Sequence, residues 1–176
     1  INVLVVGTGE YVTGIVNGSA SKSDKSIGVI ALVLFHLRAS TSNHSNPLIN
    51  RIILCGTSGK KFPAIRQHFA QNIAAVYKDL SHPKATEFES FPADDVESNP
   101  SSFVDAMGTL SPGRDAVIIV TPDQTHYEIA KEALQRKLHV LVAKPIVQQL
   151  CHHLLLKDLA LQNNLLCCVE VHKVRK

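Results

Sequence analysis

Two glycines one residue apart, Gly7-Thr8-Gly9, follow directly on an apolar run at residues 2–6, and this is the first place where the chain could do chemistry. A strand that ends in residues without side chains lets main-chain amides approach a ligand, and free amides at a helix start suit a pyrophosphate. The third glycine of a GxGxxG pattern would fall at Val12, whereas Gly14 stands two positions later. The spacing alone therefore admits both a diphosphate cradle and a structural turn. The α/β units that follow favour the cradle. Glu10 would repel a phosphate, so its carboxylate is expected to point away.

A second chemical edge is Cys55-Gly56-Thr57-Ser58-Gly59-Lys60-Lys61. Dinucleotide folds that use a cofactor without a 2′-phosphate place an acid at the end of the second strand, where it bonds the ribose hydroxyls. Here that end carries Thr57, Ser58, Lys60 and Lys61 and no carboxylate. The pattern predicts NADP in preference to NAD, with NAD as the other candidate; the competing reading is a solvated lysine pair after a flexible turn. The interval from Gly9 to Gly56 exceeds the usual spacing of about 20 residues, which predicts an inserted excursion.

Other chemistries find less support. Cys55, Cys151, Cys167 and Cys168 lack paired metal-ligand spacing and the density of a disulfide-stapled domain; three sit in apolar surroundings that predict buried thiols in a reducing, cytoplasmic setting. His152 and His153 are adjacent and cannot share one helix face, and Asp94-Asp95 has no third ligand in view, so no metal is expected. There is no Gly-x-Ser-x-Gly elbow, and the spacing before Gly59-Lys60 is not that of a Walker loop.

The elements that must position these groups alternate. Strands are predicted at residues 2–6, 51–55, 86–91, 115–120, 139–142 and 165–170, and helices at 27–38, 62–80, 125–136 and 147–162, with a further helix after Asn99-Pro100-Ser101. The 27–38 run also fits a strand by its apolar pattern. In the helix from Phe62, positions Ile65, Phe69, Ile73, Val76 and Leu80 form one apolar face. In the helix from Thr125, Ile129, Ala130, Ala133 and Leu134 face inward. Such alternation predicts an α/β, Rossmann-like parallel sheet with helices on both faces.

The 176 residues, 45% hydrophobic and 19% charged, suit a single domain, 1–176. The apolar start at Ile1 and the abrupt end after Val174-Arg175-Lys176 suggest a fragment that lacks a C-terminal domain. The 18 basic against 15 acidic residues are scattered, which argues against a nucleic-acid surface. The longest apolar run, residues 27–35, is about half a membrane span, and no leader of secretory type is present, so a soluble chain without membrane contact is expected.

The strings Thr121-Pro122-Asp123-Gln124-Thr125-His126 and His139-Val140-Leu141-Val142-Ala143-Lys144-Pro145 resemble the paired signatures of the Gfo/Idh/MocA oxidoreductase family. Gly7-Thr8-Gly9-Glu10-Tyr11, Gly59-Lys60-Lys61-Phe62-Pro63-Ala64-Ile65-Arg66, Phe91-Pro92-Ala93-Asp94-Asp95 and Val169-Glu170-Val171-His172-Lys173 resemble its D-galacturonate reductase-like branch. The resemblance implies a Rossmann domain whose parent carries a second, substrate-binding domain. It also implies NADP-dependent oxidation or reduction of a sugar acid. By the same resemblance Lys144 reaches substrate and nicotinamide, Thr121 and Pro122 line the cofactor edge, and His172 and Lys173 lie near the reactive centre. Two departures stand out. Ala143 replaces the acid of the Glu-Lys-Pro signature, and Val174-Arg175-Lys176 replaces an Arg-Phe-Asp-Pro continuation. The expected partners are a nicotinamide dinucleotide and, in an intact parent, a small sugar acid; a homo-oligomer stays open. The rival readings are a nonenzymatic nucleotide-binding or regulatory module and a degenerate structural domain.

Overall fold

The computed structural model describes residues 1–16, 18–41, 48–77 and 84–171. His172 and Lys173, and Leu80 of the predicted apolar face, lie outside the described residues. The chain runs β1 (Val3–Val6), α1 (Glu10–Thr13), β2 (Ile15–Val16), β3 (Ser19–Ala20), α2 (Val29–Thr41), β4 (Ile52–Cys55), α3 (Phe62–Phe69) and β5 (Glu89–Phe91). It continues through α4 (Ser102–Met107), β6 (Ala116–Ile119), α5 (His126–Gln135), β7 (His139–Ala143), α6 (Leu150–Gln162) and β8 (Cys167–Glu170).

Six strands form one sheet in the order β5-β4-β1-β6-β7-β8, and each neighbouring pair is parallel. From β1 the chain builds outward first through β4 to β5, and then on the other side through β6 to β8. That reversal is the topological switch of a Rossmann fold, and it opens a crevice between the carboxyl ends of β1 and β6. The α/β expectation therefore holds.

Strand alternation splits the core. Leu4, Val6, Ile53, Val117, Ile119, Val140 and Val142 bury one face of the sheet against α4, α5 and α6. Val3, Val5, Ile52 and Leu54 bury the other against α2 and α3. Both faces are covered, which explains why β1 and β4 read as unbroken apolar runs.

Several boundaries differ from expectation for local reasons. The 27–38 run is helical, and a β2–β3 hairpin stands before it in the excursion inferred from the Gly9–Gly56 interval. The helix from Phe62 changes at Ala70–Ala74 to a wider, π-type turn, which rotates its later residues off the apolar face. Ile65, Phe69 and Ile73 are buried as expected, while Val76 is 65% exposed. At the predicted helix start Asn99 Oδ1 accepts from the Ser101 amide at 3.1 Å, and Ser101 occupies the cap position of α4. The last long helix starts at Leu150 rather than near Val147. The inward set Ile129, Ala130, Ala133 and Leu134 is fully or nearly buried. No described helix is long and apolar enough to cross a membrane.

At the amino end of the sheet, buried Asp115 ties β1 to β6: its carboxylate accepts from the Asn2 amide (2.8 Å), the Asn2 side chain (2.9 Å) and the Ser111 amide (2.8 Å). Burial raises its carboxyl pKa, but the donated amides of Asn2 and Ser111 outweigh that and hold it below the ordinary value. Asp115→Asn is expected to lower the unfolding free energy by about 2 kcal/mol, measured by urea denaturation at neutral pH, because an amide NH2 would face amide donors. With the folded value depressed, this stabilisation is present above the unfolded carboxyl range near about 4 and fades as pH falls through the folded value. A variant as stable as wild type at neutral pH would contradict it.

Candidate functional site

The carboxyl ends of β1, β4 and β6 meet at a cleft of about 620 Å³ lined by Gly7, Thr8, Gly9, Gly56, Thr57, Lys61, Thr121 and Pro122 among others. The β1 exit is set by its neighbours. The Gly7 amide donates to Cys55 O at 2.8 Å, and the Val120 amide donates to Val6 O at 2.9 Å, so β1 is held from both sides to its last residue. At Gly7 the backbone takes φ +119°, and a Cβ there would lie 2.0 Å from Val120 O. Glycine is required by both the dihedral and the close approach.

Gly9 is different: a Cβ on it would meet nothing within 4 Å. It precedes α1 in extended conformation, and the amides of Thr8, Gly9 and Glu10 donate to no protein acceptor among the described residues. With four residues, α1 has little macrodipole, so any attraction for an anion rests on those amides themselves. Gly14 ends α1 at φ +77° and packs on Gly28, where a Cβ would lie 2.7 Å from the Gly28 nitrogen. Gly14 thus shapes the junction with α2 rather than the turn after β1.

The β4 exit is fixed by α4. Ser102 Oγ donates to Gly56 O at 2.7 Å and lies 3.2 Å from Cys55 Sγ. The Gly56 amide donates to Phe91 O, and the Asn99 amide to Thr57 O at 2.7 Å. Pro100, Ser102 and Phe103 therefore form a wall of the cleft that motif reading missed. The Asn99-Pro100 helix start was the available signal, but its placement in the same cleft as Gly7 depends on the strand order. Burial pushes the Cys55 thiol up to about 11.

Lys61 lines this cleft and also a second one of about 670 Å³, which runs between the Gly7–Gly9 turn, the β2–β3 hairpin and the start of α3. Lys60 lines the second cleft, whereas Ser58 lines neither. Glu10 is turned toward the hairpin: Ser21 and Ser23 donate hydroxyls to its Oε1, the latter at 2.7 Å, and these bonds lower its carboxyl pKa. It still borders the second cleft beside Lys60 and Lys61.

Lys144 follows β7 at the same carboxyl edge and is exposed, and it lines neither cleft. His126 is buried between the two turns, with Nδ1 2.8 Å from Pro145 O and Nε2 2.9 Å from Thr121 O. Thr121 Oγ1 accepts from Thr125 Oγ1 at 2.8 Å. Glu170 stands in register with Ala143, and Tyr11 Oη donates to its Oε1 at 3.2 Å. A carboxylate thus reaches this edge from the neighbouring strand, which sequence spacing could not reveal.

Asp94 pairs with Arg66 at 2.5 Å. His152 stacks on Tyr127 with centroids 3.6 Å apart. Among the described residues no cluster of metal-ligating side chains occurs. Three buried thiols are expected among the four cysteines; Cys55 is buried and Cys167 partly buried, whereas Cys151 on α6 and Cys168 on the edge strand β8 are exposed.

The Gfo/Idh/MocA family profile, described as an oxidoreductase family with an NAD-binding Rossmann fold, matches residues 50–171. No curated protein sequence gives a match. Solved structures with the same fold include an NAD binding oxidoreductase from Klebsiella pneumoniae (TM-score 0.57, 14% identity, 97% of this chain and 34% of that one). Another is biliverdin reductase from Synechocystis sp. PCC 6803 in complex with biliverdin and NADP+ (0.56, 18%, 96% and 37%). A third is scyllo-inositol dehydrogenase from Lactobacillus casei with NAD(H) and scyllo-inositol (0.55, 15%, 96% and 35%). The chain spans about a third of the length of these structures.

Two glycine substitutions separate shape from space. Gly7→Ala is expected to cost more than about 3 kcal/mol, seen as loss of a cooperative thermal transition, while Gly9→Ala should melt close to wild type. Equal melting of the two variants would contradict the assignment of Gly7. In native protein an aromatic disulfide reagent at mildly alkaline pH should modify Cys151 and Cys168 and leave Cys55 untouched until denaturant is added.

Proposed function

This chain belongs to the Gfo/Idh/MocA oxidoreductase family, and on that premise we propose that it is the dinucleotide-binding part of an NADP-dependent oxidoreductase acting on a sugar acid such as D-galacturonate. The observation that carries the cofactor reading is the Gly7-Thr8-Gly9 turn. It lies at the strand-order reversal, the amides of Thr8, Gly9 and Glu10 lack protein acceptors among the described residues, and open space surrounds Gly9. These features fit a diphosphate. Thr8, Gly9 and Gly56 would admit it, and Thr57 and Lys61 would flank the adenosine ribose; Thr121 and Pro122 would border the nicotinamide half.

NADP is favoured over NAD because Lys60 and Lys61 stand beyond β4 without a carboxylate at the strand tip, and because serines engage Glu10. Ser58 takes a secondary place, since it lines neither cleft. The bound nicotinamide would supply or accept the hydride. Lys144 would donate to the reacting oxygen and stabilise its developing charge. By the family resemblance, His172 and Lys173 would lie near the reactive centre.

The sugar-acid assignment rests on the branch motifs. An intact parent would bring its substrate domain against the exposed apolar side chains of α6 and β8, including Leu150, Leu154, Leu155 and Val169. One observation favours a nonenzymatic nucleotide-binding module instead: Ala143 leaves Lys144 without its expected acidic neighbour.

NADPH and NADH titrations of the folded chain, followed by fluorescence, test the reading. NADPH should bind more tightly, and changing Lys60 and Lys61 together to Ala should weaken it by roughly ten- to a hundredfold while leaving NADH little affected. Equal affinity before substitution would refute the NADP preference, and absence of both would refute the site. In an intact parent, Lys144→Met should lower kcat by roughly a hundredfold without changing cofactor affinity; unchanged turnover would favour the nonenzymatic reading.

A further inference from the structure

His126 makes two contacts that an ordinary neutral imidazole cannot satisfy together. Its side chain is fully buried, and both ring nitrogens face main-chain carbonyls, Pro145 O at 2.8 Å and Thr121 O at 2.9 Å. A carbonyl accepts and cannot donate. A neutral ring carries one N–H, so its bare nitrogen would face the other oxygen lone pair to lone pair, away from water. A ring with both N–H groups satisfies both acceptors.

The two carbonyls belong to different segments. Thr121 follows β6, and Pro145 follows β7, the adjacent parallel strand. Beyond the last paired residues, Ile119 and Val142, no ladder bond holds the two exits together. The ring spans that gap from the first turn of α5.

We propose that His126 is a doubly protonated clamp that ties the Thr121–Pro122 turn to the Lys144–Pro145 turn. It is a positioning residue, and it acts on the cofactor edge and Lys144 through the backbone. This role rests on the function proposed for those turns; the clamp itself rests on the two carbonyls. Burying a cation at a helix start is unfavourable, and the two carbonyl dipoles oppose that cost. Asp123, Tyr127 and Glu128 stand within three residues of His126 in the chain, Lys131 and Glu132 lie further along α5, Lys144 precedes Pro145 after His139 on β7, and α6 carries His152 and His153. None of them bonds the ring among the described residues.

Nitrogen-15 NMR of the wild-type chain tests the clamp, with the His126 ring assigned through its own Cβ and Hδ2 correlations. At neutral pH both ring nitrogens should show the shifts of protonated imidazolium, with slowly exchanging N–H protons. One bare nitrogen would overturn the proposal. His126→Gln, which can place a donor on one carbonyl at a time, should weaken NADPH binding by roughly fivefold in a folded chain. Undiminished affinity in that variant would overturn the positioning role. Should the variant not fold, the wild-type ring spectrum still decides the clamp. Should the wild-type chain bind no dinucleotide, the proposed function fails, while the ring spectrum tests the clamp independently.

Discussion

The main chains of β1 and β6 come so close on leaving the sheet that a Cβ at Gly7 would sit 2.0 Å from Val120 O. That approach directs the chain after β1 over the switch point instead of away from it. Thr8 and Gly9 then face the gap between β1, β4 and β6. A side chain at Gly7 would push the two strands apart and remove the geometry on which the cleft walls rest. The amino ends of the same two strands are tied by the Asp115 carboxylate, so their separation is set at both ends.

Around this crevice the fold uses its polar groups to hold loop exits. Ser102 fastens the β4 exit through Gly56 O, and Asn99 holds Thr57 O by its amide. His126 joins the β6 and β7 exits, and Tyr11 links α1 to β8 through Glu170. Main-chain carbonyls beyond a strand have lost their ladder partners and must find others when buried. Here the Ser102 hydroxyl, the Asn99 main-chain amide and the His126 ring serve that need.

The excursion between β1 and β4 changes the site's charge as well as its shape. It breaks the first helix after four residues and inserts the β2–β3 hairpin, with the Gly14–Gly28 contact allowing α1 to meet α2 closely. The segment after the hairpin provides Ser21 and Ser23, which occupy the Glu10 carboxylate. A charge beside the Gly7–Gly9 turn is thereby bonded elsewhere, although it remains on the border of the lysine-lined cleft.

The amino-acid sequence by itself determined the alternation of elements, the parallel sheet, and the turns at Gly7–Gly9, Gly56–Lys61 and Thr121–Pro122, because strand runs, helix periodicity and glycine placement are local signals. It also showed the long interval after Gly9 and the missing acid at Ala143. Tertiary structure alone decided which strand exits face one another. It brought Ser102 and Phe103 into the same cleft as Gly7, set Glu170 beside Ala143, and buried the His126 ring between two carbonyls. It also exposed Val76 through a widened helical turn and left Cys151 at the sheet margin. These outcomes depend on strand order and on contacts between residues far apart in the chain, which no local spacing encodes.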